Sequence, residues 1–266
     1  MAGFVVLAFA LTGCSSDSQW ERFGMPEIKS EQGVHILHLW QGAWIAALVT
    51  GVVTWALIIG VPLYYRRRSE DEVPVQTRYN LPIEIFYTIF PVIMVIAFFS
   101  RTVDVQNTVL DDKKPDVVVY VVGQKWSWTF NYPDTPQADG KNVYISGTGD
   151  KIPQLVLPVN KTAEFQLRSP DVIHDFGVPA FAMKMDVIPG RENHYQIKPT
   201  ETGTYAGKCY ELCGAYHSRM LFTVKVVSQA DYEKFLAGLA ADPASVSDEP
   251  VVGGRYANEL INTEEG

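Results

Sequence analysis

One loop of the sequence concentrates side chains that bind soft metal ions. Two thiols, an imidazole and a thioether lie within twelve residues, at Cys209, Cys213, His217 and Met220. A further imidazole is available far upstream, at His174. This set of donors suits copper better than magnesium or calcium. Since one loop and a distant histidine must be brought together, we expect a β scaffold to position them.

Three chemistries compete for this loop. The two cysteines could form a disulfide, because the domain is expected outside the cytoplasm. The cysteines and histidines could instead hold a structural zinc ion. Copper is the third candidate, since a disulfide gives no reason for His174, His217 and Met220, and zinc rarely takes a thioether. Donor chemistry therefore favours copper and leaves zinc and the disulfide as alternatives.

The motif Cys-x-Glu-x-Cys-Gly-x-x-His-x-x-Met resembles the copper-binding loop of subunit II of haem–copper cytochrome c oxidases. The resemblance implies a dinuclear copper A centre. The cysteines would bridge two coppers, each histidine would cap one, and the methionine would be the weak ligand. The glutamate carbonyl would complete the second copper, and its carboxylate would help bind a magnesium ion shared with subunit I. The implied metal-binding residues are His174, Cys209, Glu211, Cys213, His217 and Met220.

Residues 123–128 (Gly-Gln-Lys-Trp-Ser-Trp) resemble the aromatic segment through which family members accept electrons. The match places Trp126 at the point of electron uptake. The sequence departs from the family pattern at Gln124 and Lys125, where His-Gln is common, and at Ser127, where an aromatic is common. The alternative is a core-facing tryptophan, because large side chains alternate from residue 126 to 132 as on a strand.

The histidine at position 174 has acidic neighbours, Asp171, Asp175 and Asp186. These carboxylates could steer a cationic partner towards the site through long-range attraction. For any one of them, an ordinary solvated acidic surface is the simpler interpretation.

Residues 1–14 are predicted to form a targeting segment. An apolar run ends in Leu11-Thr12-Gly13-Cys14, which resembles the bacterial lipoprotein box and predicts a lipid on Cys14. The basic residues that usually precede such a run are missing. Residues 15–41 are predicted to form an extracytoplasmic tether.

Two apolar segments predict a transmembrane helical hairpin over residues 42–105. The first runs from Ala43 to Tyr65 and the second from Leu81 to Ser100, and about 20 apolar residues cross a bilayer. Three arginines, at 66–68, follow the first span, and such charges stay on the cytoplasmic side. Both termini and everything after residue 105 are therefore expected on the outer side of a bacterial plasma membrane.

Glu84 stands at the cytoplasmic start of the second span. It could be a helix-start carboxylate favoured by the helix dipole, or a proton site, because ionisable groups at membrane depth are usually functional. Residues 84–91 resemble the family segment whose glutamate lies at the mouth of a proton path into subunit I. The resemblance therefore implies proton uptake at Glu84.

Residues 106–228 predict an all-β domain. Short β-branched or aromatic runs are separated by Pro, Gly, Asp and Asn clusters, as in a sandwich or barrel. The resemblance implies a cupredoxin-like Greek-key barrel. Ser228 opens a capping pattern for a short helix. Residues 229–266 are expected to form that C-terminal helix and an acidic tail, mobile from about Asp242.

The net charge of −8 argues against nucleic acid as a partner. The sequence contains no Cys-x-x-Cys-His motif for a covalent haem. The resemblance implies a membrane-bound subunit that takes electrons from a c-type cytochrome and passes them to haem in subunit I, for oxygen reduction coupled to proton translocation. Subunits I and III, the cytochrome and membrane lipid are the expected partners. The alternatives are a quinol oxidase subunit of the same fold and a membrane-anchored binding module with zinc or a disulfide.

Overall fold

A computed structural model describes residues 19–148 and 150–253. The chain divides into two compact units. Of the described residues, the helical unit comprises 19–24 and 37–107, and the β unit comprises 25–36, 108–148 and 150–253. The signal segment and the lipid-modified Cys14 predicted from the sequence lie outside the described residues, so both remain predictions.

Two long helices precede the β strands, α1 (Glu31–Tyr64) and α2 (Leu81–Val109). Both are long and apolar enough to cross a membrane, and their large apolar side chains are exposed, which fits a membrane-anchored protein. The tether predicted over residues 15–41 is wrong from Glu31 onwards, because α1 begins there. With 34 residues, α1 is about 51 Å long at 1.5 Å per residue, and it exceeds an apolar layer of about 30 Å.

The start of α1 is anchored to the β unit. Lys29 N donates to Ala180 O over 2.7 Å, and Thr200 N donates to Lys29 O over 3.0 Å. The buried Ser30 hydroxyl donates to Phe181 O over 2.9 Å and accepts from Gly33 N over 3.0 Å, which makes Ser30 the N-cap of α1. Residues 25–36 are therefore a bound part of the β unit rather than a loose tether.

The β unit contains eleven strands within the described residues. They are β1 (Val117–Gln124), β2 (Ser127–Thr135), β3 (Lys141–Ser146), β4 (Gln154–Pro158), β5 (Ala163–Arg168), β6 (His174–Val178), β7 (Met183–Val187), β8 (Asn193–Ile197), β9 (Gly203–Cys209), β10 (Leu221–Val227) and β11 (Val246–Ser247). They form a six-stranded sheet in the order β11-β3-β2-β1-β5-β8 and a five-stranded sheet in the order β4-β10-β9-β6-β7. The pairs β1–β5 and β4–β10 are parallel, and the others are antiparallel.

Aromatic side chains from both sheets fill the core of the β unit. Phe176 of β6 stacks on Phe222 of β10, with ring centroids 4.6 Å apart. Trp128 and Phe130 of β2 contact this pair edge-on from the other sheet. All four side chains are buried. This all-β domain confirms the predicted cupredoxin-like fold.

The strand predicted to begin at Trp126 begins at Ser127. Gln124 of β1 pairs with Ser127 of β2, so Lys125 and Trp126 form a two-residue turn between two antiparallel strands. Trp128, Phe130 and Tyr132 are buried as predicted, whereas Trp126 is only partly buried. The smaller residues between them, Ser127, Thr129 and Asn131, are buried as well.

The short C-terminal helix is present as α3 (Gln229–Ala240). Ser228 caps it, because its hydroxyl accepts a hydrogen bond from Asp231 N over 3.1 Å. The tail predicted to be mobile from about Asp242 is ordered through Gly253. It contributes β11, whose residues Val246 and Ser247 pair with β3, so the prediction of a mobile tail is wrong for this segment.

Candidate metal centre

Two neighbouring strands and the loop that follows one of them supply the candidate ligands. His174 is the first residue of β6, and Cys209 is the last residue of β9. These strands pair with Phe176 opposite Cys209, so the imidazole and the thiol meet at one end of the five-stranded sheet. The loop between β9 and β10 then turns back and brings in Cys213, His217 and Met220.

The donor atoms of these five residues converge. The Cys209 sulfur lies 3.9 Å from His174 Nδ1 and 3.9 Å from the Cys213 sulfur. The Cys213 sulfur lies 3.5 Å from His217 Nδ1 and 3.7 Å from the Met220 sulfur. The ligand atoms of His174, Cys209 and Cys213 all lie within 4.8 Å of one another. The sequence-predicted ligands are thus brought together with their donor atoms facing each other.

Glu211 presents two different groups from the same loop. Its backbone carbonyl oxygen lies 3.2 Å from the Cys209 sulfur, on the side of the donor cluster. Its side chain is exposed. The carbonyl therefore faces the donor cluster, whereas the carboxylate faces away from the protein interior.

The two cysteines are free thiols in the structure. A disulfide requires sulfur atoms about 2.05 Å apart, and the separation here is 3.9 Å. Cys209 and Cys213 are buried, together with His174 and Met220. This dry pocket of sulfur and nitrogen donors fits a soft metal ion.

Asp171 fixes the orientation of His174. Its carboxylate oxygen lies 2.9 Å from His174 Nε2, so Nε2–H donates to the carboxylate and the Nδ1 lone pair faces Cys209. Burial raises the pKa of Asp171, but hydrogen bonds from His174, Lys125 N and Val172 N outweigh it and lower the pKa to about 2. Burial lowers the pKa of His174, yet the hydrogen bonds to Asp171 and Cys209 raise it overall.

The pKa values of the two thiols shift in opposite directions. Burial raises the pKa of Cys213, and the adjacent Cys209 raises it further, to about 12. Burial also raises the pKa of Cys209. Hydrogen bonds from His174 and from the backbone of Asp175 and Glu211 outweigh this effect, so the pKa of Cys209 is lowered overall. Because metals bind thiolates, loading the centre must displace a proton from Cys213.

Trp126 lies against the metal-binding loop. Its indole Nε1–H donates to the backbone carbonyl of Cys213 over 3.2 Å, and its ring meets Tyr216 edge-on at 5.0 Å. Gly214 passes directly under the indole, because a Cβ on this glycine would lie 3.0 Å from the ring. Trp126 is only partly buried, so it connects the loop to the protein surface.

The remaining sequence-predicted site residue, Glu84, lies in the helical unit and not among the metal ligands. It sits in the first turn of α2, where its side chain accepts a hydrogen bond from Asn80 N over 2.9 Å. The Asn80 side chain in turn accepts from Ile83 N over 3.4 Å, which is a long bond. These contacts fit the helix-start interpretation and do not test proton uptake.

Sequence reasoning missed the roles of two residues at the centre. It treated Asp171 as surface charge, although Asp171 holds His174. It treated Trp128 only as a core residue, although its Nε1–H donates to the backbone carbonyl of Met220 over 3.4 Å. The signal for Asp171 was its spacing, three residues before the histidine, but spacing alone does not say where a carboxylate points.

Comparisons with known proteins identify similar chains. A family profile described as cytochrome c oxidase subunit II, periplasmic domain, matches residues 117–227. A probable cytochrome c oxidase subunit 2 from Streptomyces avermitilis is 46% identical over 296 residues, which cover 96% of this chain and 92% of that protein. Cytochrome c oxidase subunit 2 from Mycobacterium bovis is 34% identical, covering 86% of this chain and 78% of the relative.

Solved structures include a similar domain. The crystal structure of the periplasmic domain of subunit II of cytochrome oxidase from Bradyrhizobium japonicum is 33% identical in sequence, with a TM-score of 0.43. The match covers 48% of this chain and 96% of that one.

Proposed function

This chain belongs to the family of cytochrome c oxidase subunit II, and we propose that it accepts electrons from a c-type cytochrome at a dinuclear copper A centre. The electrons then pass to haem in subunit I, where oxygen reduction is coupled to proton translocation. As a family member, the chain is a subunit of a haem–copper oxidase, an oxidoreductase complex. The observation that carries the proposal is the convergence of two thiols, two imidazoles and a thioether in one cluster, in which His217 alone is not fully buried.

The proposed ligand roles follow from the donor positions. Cys209 and Cys213 would both hold the copper pair, because each thiol lies beside the other and beside a different histidine. His174 binds through Nδ1, since Asp171 occupies Nε2. His217 binds through Nδ1, the nitrogen that faces Cys213. A copper pair held in this way supplies a site that gains and loses one electron at a time.

The thioether favours copper over zinc. Zinc would be satisfied by the two cysteines and two histidines alone. The Met220 sulfur nevertheless points into the cluster, 3.7 Å from the Cys213 sulfur, and Trp128 holds its backbone carbonyl. A weak thioether ligand beside histidine and cysteine is typical of copper sites for electron transfer. The Glu211 carbonyl supplies the remaining ligand to the second copper.

Trp126 is the proposed point of electron uptake. It is partly exposed, and its indole bonds directly to the backbone of the ligand Cys213. A reduced donor that docks over the indole would therefore be one side chain away from the metal-binding loop. The c-type cytochrome is the proposed donor, guided by acidic side chains of this domain.

The membrane arrangement completes the proposal. Helices α1 and α2 anchor the chain in a bacterial plasma membrane beside subunits I and III. Arg66, Arg67 and Arg68 between them keep that loop in the cytoplasm, so the copper domain and both termini lie outside. Glu84 takes up protons from the inner side, the Glu211 carboxylate contributes to a magnesium site shared with subunit I, and Cys14 carries a lipid.

The proposal is tested by rapid mixing of the assembled oxidase with a reduced c-type cytochrome, without oxygen. We expect electrons to reach haem through this chain, and Cys209→Ser to abolish the transfer, because serine replaces a soft bridging sulfur with a hard oxygen. Cys14→Ser is the matched control and should transfer normally. Haem reduction at the native rate in Cys209→Ser would contradict the proposed role.

A further inference from the structure

The segment that follows α3 crosses the outer face of the six-stranded sheet. We call residues 246–253 the C-terminal strap. It lies beyond residue 227, where the family match ends. It begins as β11, paired with β3 at the edge of the sheet, with Ser247 opposite Asn142. From there it runs inwards over β2 to the end of β1, next to the turn that holds Lys125 and Trp126.

The strap is held at its middle by Asn131 of β2. Val251 N donates to Asn131 Oδ1 over 2.7 Å, and Asn131 Nδ2 donates to Val251 O over 3.0 Å. Asn131 is completely buried, and its amide also donates to Tyr120 O over 3.3 Å. Asn142 adds bonds to Asn131 Oδ1 and to the Ser247 hydroxyl. Two buried polar side chains of the sheet thus bind the strap.

The end of the strap packs on two segments at once. Gly253 has a φ of +75°, and a Cβ at this position would overlap Gln124 Oε1 and lie 3.0 Å from Pro170 Cγ. Gln124 is the last residue of β1, and Pro170 lies just after β5. Val252 lines a surface cleft of about 320 Å³ together with Pro170.

These two segments have lost their strand pairing at this point. The parallel pairing of β1 with β5 ends at Val122 opposite Arg168. Beyond it, Lys125 N donates to Asp171 Oδ2 over 2.7 Å, and the other oxygen of Asp171 lies 2.9 Å from His174 Nε2. Where the ladder has ended, the strap contacts the residue before Lys125 and the residue before Asp171.

We propose that the C-terminal strap positions the Asp171–His174 pair of the metal centre, with Asn131 as the positioning residue that docks it. By holding Gln124 and Pro170 in place, the strap keeps Lys125 N on Asp171, which in turn holds His174. The inference rests on the proposed copper function only where it predicts that the strap affects the reduction potential of the bound metal. The contact itself exists without metal.

The test uses hydrogen–deuterium exchange of the full chain in detergent, without metal, read at single-residue resolution by fragmentation in the mass spectrometer. Val251→Pro removes the N–H that donates to Asn131 Oδ1. We expect the Lys125 amide to exchange about fivefold to tenfold faster, because one net hydrogen bond holds the strap there. Core amides such as Val121 should keep their native exchange.

Val75→Pro is the matched control, because Val75 also follows a proline and its N–H makes no hydrogen bond within the described residues. It lies in the loop between α1 and α2, outside the β unit, and should leave Lys125 exchange native. Gly253→Val, which pushes the strap end off Gln124, should repeat the effect of Val251→Pro. Native Lys125 exchange in both Val251→Pro and Gly253→Val would overturn the proposal.

A second readout follows the consequence at the metal. In the copper-loaded full chain, Val251→Pro should shift the reduction potential, whereas Val75→Pro should not. Failure of every variant and of the native chain to load copper would count against the copper function and leave the exchange result to decide the strap. An unchanged potential together with faster Lys125 exchange would overturn the claim that the strap reaches the metal.

Discussion

At the scale of single residues, the metal centre depends on contacts that leave one donor atom free to bind. Asp171 occupies Nε2 of His174 and leaves Nδ1 facing Cys209. The Trp128 indole holds the Met220 carbonyl, which keeps the adjoining thioether in the cluster. These partners bind no metal themselves, but they decide which atom of each ligand points inwards.

We predict that Asp171→Ala weakens metal binding about 10-fold to 100-fold, because His174 loses the partner that orients its ring. The metal affinity of Asp171→Asn should lie between that of Asp171→Ala and that of the native chain, since asparagine keeps one acceptor oxygen. Metal affinity can be measured by competition with a chelator. The control is Asp186→Ala, which removes an exposed carboxylate of the same domain. Equal affinities for Asp171→Ala and Asp186→Ala would show that the Asp171 contact does not matter for binding.

We predict that Trp126→Gln slows reduction of the centre by the c-type donor and leaves metal content and donor affinity near native values. The ring that bonds to the Cys213 carbonyl would be lost, whereas docking depends on the acidic surface. Rapid mixing gives the rate, and its dependence on salt gives the docking contribution. Trp126→Phe keeps an aromatic ring and should be less impaired. Native kinetics for Trp126→Gln would refute the assignment.

At the scale of elements, the start of α1 and the β unit form one structure. Ser30 caps the helix and also donates to Phe181 O, and both contacts are buried. Gly33 lies so close that a Cβ would come within 2.8 Å of the Phe181 carbonyl oxygen. A β domain cut off at residue 106 would lose this segment and expose the groove that it fills.

We predict that Ser30→Ala lowers the free energy of unfolding of the β unit by about 1–2 kcal/mol, because it removes a helix cap and leaves a buried carbonyl without its donor. Denaturation of the full chain in detergent, followed by tryptophan fluorescence, measures the change. Ser100→Ala is the control, since Ser100 only bonds back to its own helix at Ile96. A stability loss no greater than that of Ser100→Ala would contradict the anchoring role.

The sequence was sufficient to predict some elements and not others, for physical reasons. Strand β1 is recognisable from the sequence because Val117 to Val122 is almost wholly β-branched. Strand β6 is not, since it contains Asp175 and Gly177, residue types that strands disfavour. Gly177 is required there because a Cβ would lie 2.6 Å from the Tyr210 ring, a contact that arises only in the folded chain.

The candidate metal centre also has a part that the sequence predicts and a part that it does not. The metal ligands could be predicted because their donor types and spacing resemble a known loop. The orienting role of Asp171 and the docking of the strap on Asn131 could not, because both depend on which segments the fold places side by side. A polar tail such as residues 242–253 is predicted to be mobile when its hydrogen-bond partners lie far away in the sequence.

At the scale of the whole molecule, the two units carry different parts of the proposed function. The β unit presents the metal centre, and the helical unit places Glu84 in the first turn of α2. The Glu84 side chain accepts a hydrogen bond from Asn80 N, so its loss would disturb the helix start as well as the proposed proton uptake. Any test must therefore separate these two effects.

We predict that Glu84→Ala slows oxygen turnover in the assembled oxidase and spares reduction of the metal centre by the donor. Glu84→Gln separates the two explanations, because glutamine can still accept from Asn80 N but carries no proton. If Glu84 takes up protons, Gln is as slow as Ala. If Glu84 only starts the helix, Gln restores turnover. Oxygen consumption with ample donor is the measurement, and full turnover in Glu84→Ala would rule out the proton role.

The central claim is that the buried thiols hold a pair of coppers. It is tested most directly by metal analysis of the purified full chain, combined with electron paramagnetic resonance at low temperature. We predict two copper ions per chain and a hyperfine pattern from one unpaired electron shared between both nuclei, lost in Cys209→Ser. Zinc in place of copper, or a single copper with the spectrum of an isolated ion, would contradict the account.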